Sequence, residues 1–238
     1  MKLDILVFAS HPDDAELGCS GTIISQIEKG NKVGIIDLTR GELGTRGSSE
    51  LRAKEAEEAT KIMQLSVREN LRFADGFFEN DKAHLIEIIK VIRKYKPEIV
   101  LANAIDDRHP DHAQGARLVS RACFLSGLIK VETGLYSQVQ DAWRPKQLYH
   151  YLQDRFIKPD FVVDITPYWA KKVEVIRAFK SQFHDPESKE PVTYISSPDF
   201  LTFIEARAQE IGHSIGVKYG EGFTKEKQLG VKNLFDLI

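Results

Sequence analysis

The sequence is poor in cysteine and carries almost no net charge. Its two cysteines, Cys19 and Cys123, both fall in stretches that predict helices, so we expect no disulfide framework and a reducing cytoplasm as the compartment. The formal net charge is −2 at pH 7, without the strongly basic balance that suits nucleic acids or anionic membranes. We therefore expect neither of those partners.

Long apolar runs are also absent from the sequence. None approaches the roughly 20 residues that span a bilayer, and the first predicted strand begins without the basic and apolar stretches of a signal peptide. At 238 residues, 42% of them hydrophobic, the chain is long and apolar enough for one large α/β domain with a full core.

The order of apolar and amphipathic stretches predicts a Rossmann-like α/β fold. Strands alternate with helices through residues 1–125, which is typical of a mainly parallel sheet flanked by helices. The pattern is looser over residues 126–238, so we expect a single domain, 1–238, with a regular first part and an elaborated second part. In that second part we predict two more strands, a helix over residues 168–183 and, because of its glycines, a loop over residues 216–222.

The stretch His11-Pro12-Asp13-Asp14 follows the first predicted strand and precedes an amphipathic helix. In an open α/β sheet, ligands bind at such turns at the carboxyl ends of the strands. The alternative is purely structural, with an aspartate as helix N-cap and Pro12 setting the turn.

A second stretch of the same kind, His109-Pro110-Asp111-His112, follows the fourth predicted strand, at residues 98–103. The first and fourth strands are neighbours in the doubly wound order 3-2-1-4-5-6. The two turns should therefore meet in space, which helix capping alone does not predict, and we favour a functional site.

The residues of the two turns are typical of a catalytic zinc site. His11, Asp14 and His112 offer two imidazoles and a carboxylate, and three protein ligands leave a fourth position for water or substrate. A structural zinc site would use four ligands, usually thiolates, and neither cysteine lies in the motifs. We predict one Zn2+ per chain at the carboxyl ends of the first and fourth strands.

Two neighbouring residues complete a hydrolytic site around that zinc. Zinc lowers the pKa of water and polarises a carbonyl group. Asp13 can serve as the base that takes the proton of the water, and a protonated His109 can stabilise an oxyanion. This combination predicts a hydrolase.

The two motifs resemble the paired HPDD and HPDH motifs of the LmbE-like (PIG-L) N-acetylglucosaminyl deacetylases. That family has a Rossmann-like fold with a single zinc and removes acetyl groups from N-acetylglucosamine conjugates. Further stretches resemble its bacillithiol-pathway branch, whose substrate is N-acetyl-D-glucosaminyl L-malate. They are residues 41–47, Arg52, Glu55, Asn70-Leu71, Asp75-Gly76 and residues 216–223. Ala15 replaces the acid that follows HPDD in many members, and Glu16 comes one place later, as in that branch.

The resemblance assigns catalytic roles. His11, Asp14 and His112 would be the zinc ligands, and Asp13 would be the base that later passes its proton to the leaving amine. His109 would support the oxyanion, with Asp111 holding its ring. Tyr194 would supply a second oxyanion donor; its alternative is a buried aromatic.

The resemblance also suggests how the substrate is held. Arg52 and Arg108 would bind the carboxylates of a malate aglycone, since guanidinium pairs with carboxylate in bidentate fashion. The alternative for Arg52 is a solvated charge on an acidic helix. Glu42 would accept hydrogen bonds from sugar hydroxyls, or simply lie on the surface. The family further implies a cytoplasmic homo-oligomer, often a hexamer.

Three other functions remain open at the level of sequence. One is deacetylation of N-acetylglucosamine or chitooligosaccharides. A metallophosphoesterase usually needs two metals about 3.5–4 Å apart, and therefore more ligands than the motifs offer. A non-catalytic Rossmann-type binding module would have G-x-G-x-x-G after the first strand, where Pro12, Asp13 and Asp14 stand instead.

Overall fold

The computed structural model describes residues 1–236 and contains one large sheet. Its strands are β1 (Ile5–Ala9), β2 (Val33–Thr39), β3 (Val67–Phe73), β4 (Ile99–Ala102), β7 (Gln147–Tyr151), β8 (Phe161–Asp164) and β9 (Gly220–Lys225), while β5 (Gly134–Leu135) and β6 (Gln138–Val139) form a separate small hairpin. The order across the sheet is β3-β2-β1-β4-β7-β9-β8. The five neighbouring strands β3, β2, β1, β4 and β7 pair in parallel. Strand β9 is antiparallel to both of its neighbours, β7 and β8.

Six α-helices accompany the sheet within the described residues. They are α1 (Asp14–Glu28), α2 (Ser49–Met63), α3 (Lys82–Tyr95), α4 (Pro110–Leu125), α5 (Trp169–Arg177) and α6 (Phe200–His213), with short 3-10 turns at Thr166–Tyr168 and Leu234–Asp236. None of the helices in this range is long and apolar enough to cross a membrane.

The apolar core forms two layers, one on each face of the sheet. Alternate side chains of a strand point to opposite faces, and β1 is buried on both, as expected of a parallel strand covered by helices. Leu6 and Phe8 pack with α3 and α4 on one face, while Ile5 and Val7 belong to the layer of α1, α2 and α5 on the other. The predicted α/β fold with a mainly parallel sheet flanked by helices is confirmed.

The predicted neighbourhood of the first and fourth strands is also confirmed. β1 and β4 pair in parallel, with Ile5 opposite Ile99 and Val7 opposite Leu101. The carboxyl ends of both strands therefore lie side by side at one edge of the sheet. Cys19 and Cys123 are buried free thiols, as expected.

The loop predicted over residues 216–222 is wrong in its second half, because Gly220–Lys225 is a buried strand inserted between β7 and β8. The glycines are needed for close packing there. A Cβ atom on Gly220 would lie 2.6 Å from a methyl carbon of Val162, and one on Gly222 would lie 2.9 Å from a methyl carbon of Leu152.

The helix predicted over residues 168–183 ends early, at Arg177. The chain then turns so that its polar groups reach α2. The Ser181 amide donates to Glu55 Oε1 at 2.7 Å, and Gln182 Oε1 accepts a hydrogen bond from Arg52. These contacts with distant residues replace the last helical turns.

Candidate metal centre and active site

The turn between β1 and α1 places two aspartates at the carboxyl edge of the sheet. Asp13 has φ 120° and ψ −22°, a left-handed conformation that is rare and costly for a residue other than glycine. Its side chain makes no capping hydrogen bond to α1, and the Asp14 carboxylate accepts the His11 amide at 2.9 Å. The capping explanation for Asp13 is therefore wrong, and the strain is typical of a functional turn.

The turn between β4 and α4 brings two histidines to the same place. His109 is the N-cap of α4 and accepts the Asp111 amide at its Nδ1 atom, 3.3 Å away, while Pro110 begins the helix. His112 follows in the first turn. The ring centroids of His109 and His112 lie 4.6 Å and 5.6 Å from that of His11, so the structure brings the two motifs together.

The three predicted metal ligands present their donor atoms to one another. An Asp14 oxygen lies 3.0 Å from His112 Nε2, and the other lies 3.5 Å from His11 Nδ1. Ligand bonds of about 2.0–2.1 Å in a tetrahedron place neighbouring donor atoms about 3.3 Å apart. The two separations that Asp14 makes are close to that value, which supports zinc as the metal.

The three imidazoles of His11, His109 and His112 form a second possible ligand group, with ligand atoms within 4.8 Å of one another. Asp14, unlike His109, has an oxygen 3.0 Å from His112 Nε2 and another 3.5 Å from His11 Nδ1. We therefore favour Asp14 over His109 as the third ligand.

Buried carboxylates hold the other nitrogen of each proposed ligand imidazole. His11 Nε2 lies 3.0 Å from Asp75 and 3.2 Å from Asp111, and His112 Nδ1 lies 2.5 Å from Asp107. A carboxylate on the second nitrogen is the usual partner of a metal-bound histidine, since it fixes the tautomer and the ring orientation. This arrangement is a second, independent match to a metal site.

The structure corrects the role expected for Asp111. Its carboxylate contacts His11 and the Gly76 amide, at 3.2 Å and 2.8 Å, whereas only its backbone N–H contacts His109. The reason is geometric: Asp111 lies in the first turn of α4, and its side chain turns toward β1. It therefore orients the proposed ligand His11 instead of holding the His109 ring.

Two amide side chains, which the sequence analysis missed, hold the Asp14 carboxylate. Asn103 Nδ2 donates to one oxygen and Gln153 Nε2 to the other, both at 3.0 Å. Gln153 also accepts from Asn103 and from the Ala104 amide. Asn103 is the last residue of the apolar stretch that predicts the fourth strand. That position was the one sign in the sequence that Asn103 borders the site.

The charges of this cluster shift the pKa values of its members. Burial disfavours the charged form of His112, but Asp14 and Asp107 outweigh it and raise the pKa of His112 to about 9. Burial likewise opposes protonation of His11, whose pKa the carboxylates of Asp111, Asp14 and Asp75 nevertheless raise well above 6.5. Both imidazoles therefore carry protons at pH 7 when no metal is bound.

Asp13 has a pKa suited to a general base. Burial raises the pKa of Asp13 to about 7, although the nearby charge of Arg52 opposes the shift. A base works best when its pKa lies near the operating pH. Asp13 lines the cavity beside the ligand set without being needed as a ligand.

In the metal-free chain, the expectation that His109 stays protonated is wrong. Burial and the positive charges of His11 and His112 lower the pKa of His109 below 6.5, so its ring is neutral at pH 7. Because Nδ1 accepts the Asp111 amide, the proton of the neutral ring is on Nε2. His109 is still a hydrogen-bond donor, but without a charge.

A cavity of about 360 Å³ opens over these residues. Its walls include Asp13, Arg52, Arg108, Gln153 and Tyr194. Arg52 is only 6% exposed and its guanidinium donates to Gln182, so the alternative of a solvated charge is wrong. It lies within the site, close enough to Asp13 to lower the pKa of that carboxyl.

Arg108 and Tyr194 lie together at the rim of the cavity. The guanidinium carbon of Arg108 is 4.5 Å from the centre of the Tyr194 ring, and the Tyr194 hydroxyl donates to Asp154 at 2.7 Å. Tyr194 is 48% exposed, so the alternative of a buried aromatic is wrong. Its role as an oxyanion donor stays a proposal.

Glu42 is not placed as expected, because it is exposed and outside the set of residues that line the cavity. One of its oxygens accepts the Asp75 amide at 3.1 Å and the other accepts the Arg40 amide at 3.2 Å. Glu42 therefore joins the glycine-rich loop to the turn after β3, and Leu43 and Gly44 face the cavity in its place.

A buried ion pair between Lys172 and Glu221 contacts α1 just after its first turn. The helix is broken at Cys19, which has φ −148° and ψ 17°. Lys172 Nζ donates to the freed Leu17 carbonyl at 2.7 Å and to Glu221 at 2.6 Å. Glu221 in turn accepts the amides of residues 21 and 22, so these backbone groups at the break are satisfied.

Comparison with known proteins finds a deacetylase family and similar deacetylases. A family model described as GlcNAc-PI de-N-acetylase (PIG-L) matches residues 6–123, which contain both motifs. Diacetylchitobiose deacetylase of Thermococcus kodakarensis is 28% identical over 228 residues, spanning 92% of this chain and 81% of that protein.

Two solved structures share the fold over nearly the whole chain. The conserved protein TT1542 from Thermus thermophilus is 34% identical with a TM-score of 0.85, and the match covers 97% of this chain and 98% of that one. N,N'-diacetylchitobiose deacetylase from Pyrococcus horikoshii is 26% identical with a TM-score of 0.79, covering 93% and 82%. The similarity therefore includes the second half of the chain as well as the motifs.

Proposed function

Since the chain belongs to the GlcNAc-PI de-N-acetylase (PIG-L) family, we propose that it is a zinc-dependent hydrolase that removes the acetyl group from an N-acetylglucosaminyl conjugate. Its proposed substrate is N-acetyl-D-glucosaminyl L-malate, on the path to bacillithiol. The proposed unit is one domain over residues 1–238 with one zinc per chain.

One observation carries the proposal. The two carboxylate oxygens of Asp14 lie 3.0 Å from His112 Nε2 and 3.5 Å from His11 Nδ1, with a separate carboxylate, Asp13, beside them in the cavity wall. A helix-capping turn does not need that arrangement, and a phosphate-binding turn would not tolerate its carboxylates. Metal-assisted hydrolysis of an amide uses both parts, a Lewis acid and a base.

The residues divide the reaction as follows. His11, Asp14 and His112 would hold the zinc, which would supply the Lewis acidity that lowers the pKa of water and polarises an amide carbonyl. Asp13 takes a proton from the attacking water as its oxygen bonds to the carbonyl carbon. His109 donates its Nε2 proton as a hydrogen bond to the oxygen on which negative charge develops.

Collapse of the tetrahedral species then breaks the C–N bond. Asp13 passes the proton it holds to the leaving nitrogen, so that acetate and a free amine are the products. Tyr194 is the proposed second donor to the oxyanion. Its hydroxyl now bonds Asp154, so this role requires that bond to exchange.

The positive charge at the cavity rim supports malate as the proposed aglycone. Arg108 lies directly before His109 in the chain, and its side chain is 48% exposed at the mouth of the site. A guanidinium there can bind a carboxylate through two hydrogen bonds. Arg52, buried beside Asp13, is the proposed second cationic contact, closer to the sugar.

A second candidate substrate is a chitooligosaccharide. The observation that favours it is that two of the similar proteins are named as diacetylchitobiose deacetylases. A chitooligosaccharide is neutral, so it would offer Arg108 no anionic partner on the substrate. The choice between the two substrates depends on that charge.

Side-by-side kinetics on N-acetyl-D-glucosaminyl L-malate, N-acetylglucosamine and diacetylchitobiose test the proposal. We expect kcat/KM to be highest for the malate conjugate, by about tenfold or more, because charge-assisted hydrogen bonds contribute about 1.5–3 kcal/mol. Equal or higher values for diacetylchitobiose would assign the chain to the second candidate.

The proposal extends to a cytoplasmic homo-oligomer, with a hexamer as the expected form. Large apolar side chains exposed on and near the β5–β6 hairpin support association: Ile129, Tyr136 and Val139 are each at least 84% exposed. Sedimentation equilibrium of the full chain measures the assembly, and a monomer at micromolar concentration would contradict this part.

A further inference from the structure

Asp154 lies where the proposed aglycone contacts meet. Its Oδ1 atom accepts the Tyr194 hydroxyl at 2.7 Å, and its Oδ2 atom lies 3.6 Å from Arg108 Nε. The Tyr194 ring also stacks under the Arg108 guanidinium, so the three side chains form one group at the rim. Both rim residues thus already contact a carboxylate that belongs to the chain.

The backbone around Asp154 is anchored on both sides. The Gln153 side chain accepts the Ala104 amide and donates to Asp14, and the Arg155 amide donates to Asp107 at 2.7 Å. The Asp154 carbonyl accepts a hydrogen bond from Arg207. The main chain at this point is therefore tied to the metal centre and does not need to move when the carboxylate does.

The Asp154 side chain itself is free to exchange partners. It is 22% exposed and Arg108 is 48% exposed, so the contact between them lies at the solvent boundary. Such pairs contribute little to stability, because water competes for both charges. A carboxylate from a ligand can replace Asp154 on Arg108 at small cost.

We infer that Asp154 is a specificity-determining residue whose carboxylate occupies the Arg108–Tyr194 pair until an anionic aglycone displaces it. This inference rests on the proposed function and names the residue that limits how strongly the same site binds an anionic aglycone. A dicarboxylate competes with Asp154 for Arg108 and, by displacing it, releases the Tyr194 hydroxyl. A neutral sugar brings no carboxylate and leaves the Asp154 contacts in place.

Binding of L-malate to the zinc-loaded chain tests the inference without any turnover. Asp154→Asn keeps the shape and an acceptor for Tyr194 but removes the competing charge. We expect the Kd of malate, measured by calorimetry, to fall by about two- to fivefold, the size expected for one exposed ion pair. In an Arg108→Gln background that gain should disappear.

The matched control is Asp106→Asn. Asp106 carries the same charge two residues before Arg108, bonds Arg155 at 2.9 Å, and is 64% exposed. It should change malate binding by less than about 1.5-fold, because exposed charges are largely screened. An equal effect of Asp106→Asn and Asp154→Asn would mean a general field effect and would overturn the inference.

Kinetics separate this inference from the proposed function. Asp154→Asn should lower KM for the malate conjugate relative to KM for methyl N-acetylglucosaminide by the same factor as it lowers the malate Kd. Absence of amine release by the unmodified chain on either substrate would refute the proposed function, while the malate Kd values would still decide the inference. Weaker or unchanged malate binding by Asp154→Asn overturns it.

Discussion

Asp107 should control the affinity of the chain for zinc, although it is not a proposed ligand. Its side chain is 1% exposed, with one oxygen 2.5 Å from His112 Nδ1 and the other accepting the Arg155 amide at 2.7 Å. Asp107→Asn keeps the size of the side chain and can keep the bond to Arg155. It removes the charge that fixes the His112 ring.

The size of the effect follows from these contacts. Loss of such an outer carboxylate typically weakens metal binding about 10- to 100-fold, or about 1.4–2.8 kcal/mol. Because the Asp107–His112 contact is short, buried and charge-assisted, we expect the upper half of that range. With zinc in excess, the variant should recover most of its turnover.

Competition with a fluorescent chelator at fixed pH measures the zinc Kd. The control is Asp106→Asn, which removes the neighbouring, exposed charge and should stay within about twofold of the unmodified chain. A zinc Kd for Asp107→Asn that stays within about twofold as well would refute the reasoning, since His112 would then not be a ligand oriented by Asp107.

Four further predictions follow from the same geometry. Asp13→Asn should retain zinc while losing at least roughly 10²-fold in kcat; loss of metal by this variant would show that the roles of Asp13 and Asp14 are exchanged. Zinc affinity should fall as pH drops from 9 to 6, because the pKa values of His11 and His112 are raised (to about 9 for His112) and their protons must leave before zinc binds. Calorimetry in buffers of different ionisation enthalpy should detect the proton release, and a zinc Kd that does not change with pH would contradict the prediction. Arg108→Ala should lose roughly ten- to a hundredfold in kcat/KM toward the malate conjugate and much less toward diacetylchitobiose, and equal losses would mean that Arg108 supports the metal turn instead. Lys172→Met should lower the free energy of unfolding in urea by about 3–5 kcal/mol, because it leaves the Glu221 carboxylate buried without its cationic partner. Lys61→Ala, at an exposed pair, should have a much smaller effect, and similar losses for the two variants would contradict the proposed support of α1.

The two functional turns were predictable because their signals are local. A short apolar strand, a turn rich in histidine and aspartate, and an amphipathic helix follow one another within about 25 residues each time. The rule that orders such strands placed β1 beside β4, and the pairing of Ile5 with Ile99 confirms it. The strand-order rule therefore predicted that His11 and His112 lie at the same edge of the sheet, although their contacts were not known.

The residues that hold the turns could not be predicted, because they come from distant parts of the chain. Asp75 is 64 residues from His11, and Gln153 is 139 residues from Asp14. Nothing in the sequence near either residue marks it as a partner. The neutral state of His109 was missed for the same reason, since it depends on burial and on two other imidazoles.

The second half of the chain was harder because its main features depend on non-local packing. Gly220–Lys225 has the glycines of a loop, yet it is a strand because β7 and β8 offer it backbone partners on both sides. Those glycines are explained by the side chains that approach them. Local propensity could not show either fact.

The central claim is tested most directly by titrating zinc into the metal-stripped chain and following amine release from N-acetyl-D-glucosaminyl L-malate. We predict that activity rises linearly to one zinc per chain, stops rising there, and is lost again on exhaustive chelation. Full activity in the stripped chain, or a zinc-saturated chain that releases no amine from this conjugate while deacetylating diacetylchitobiose, would contradict the account.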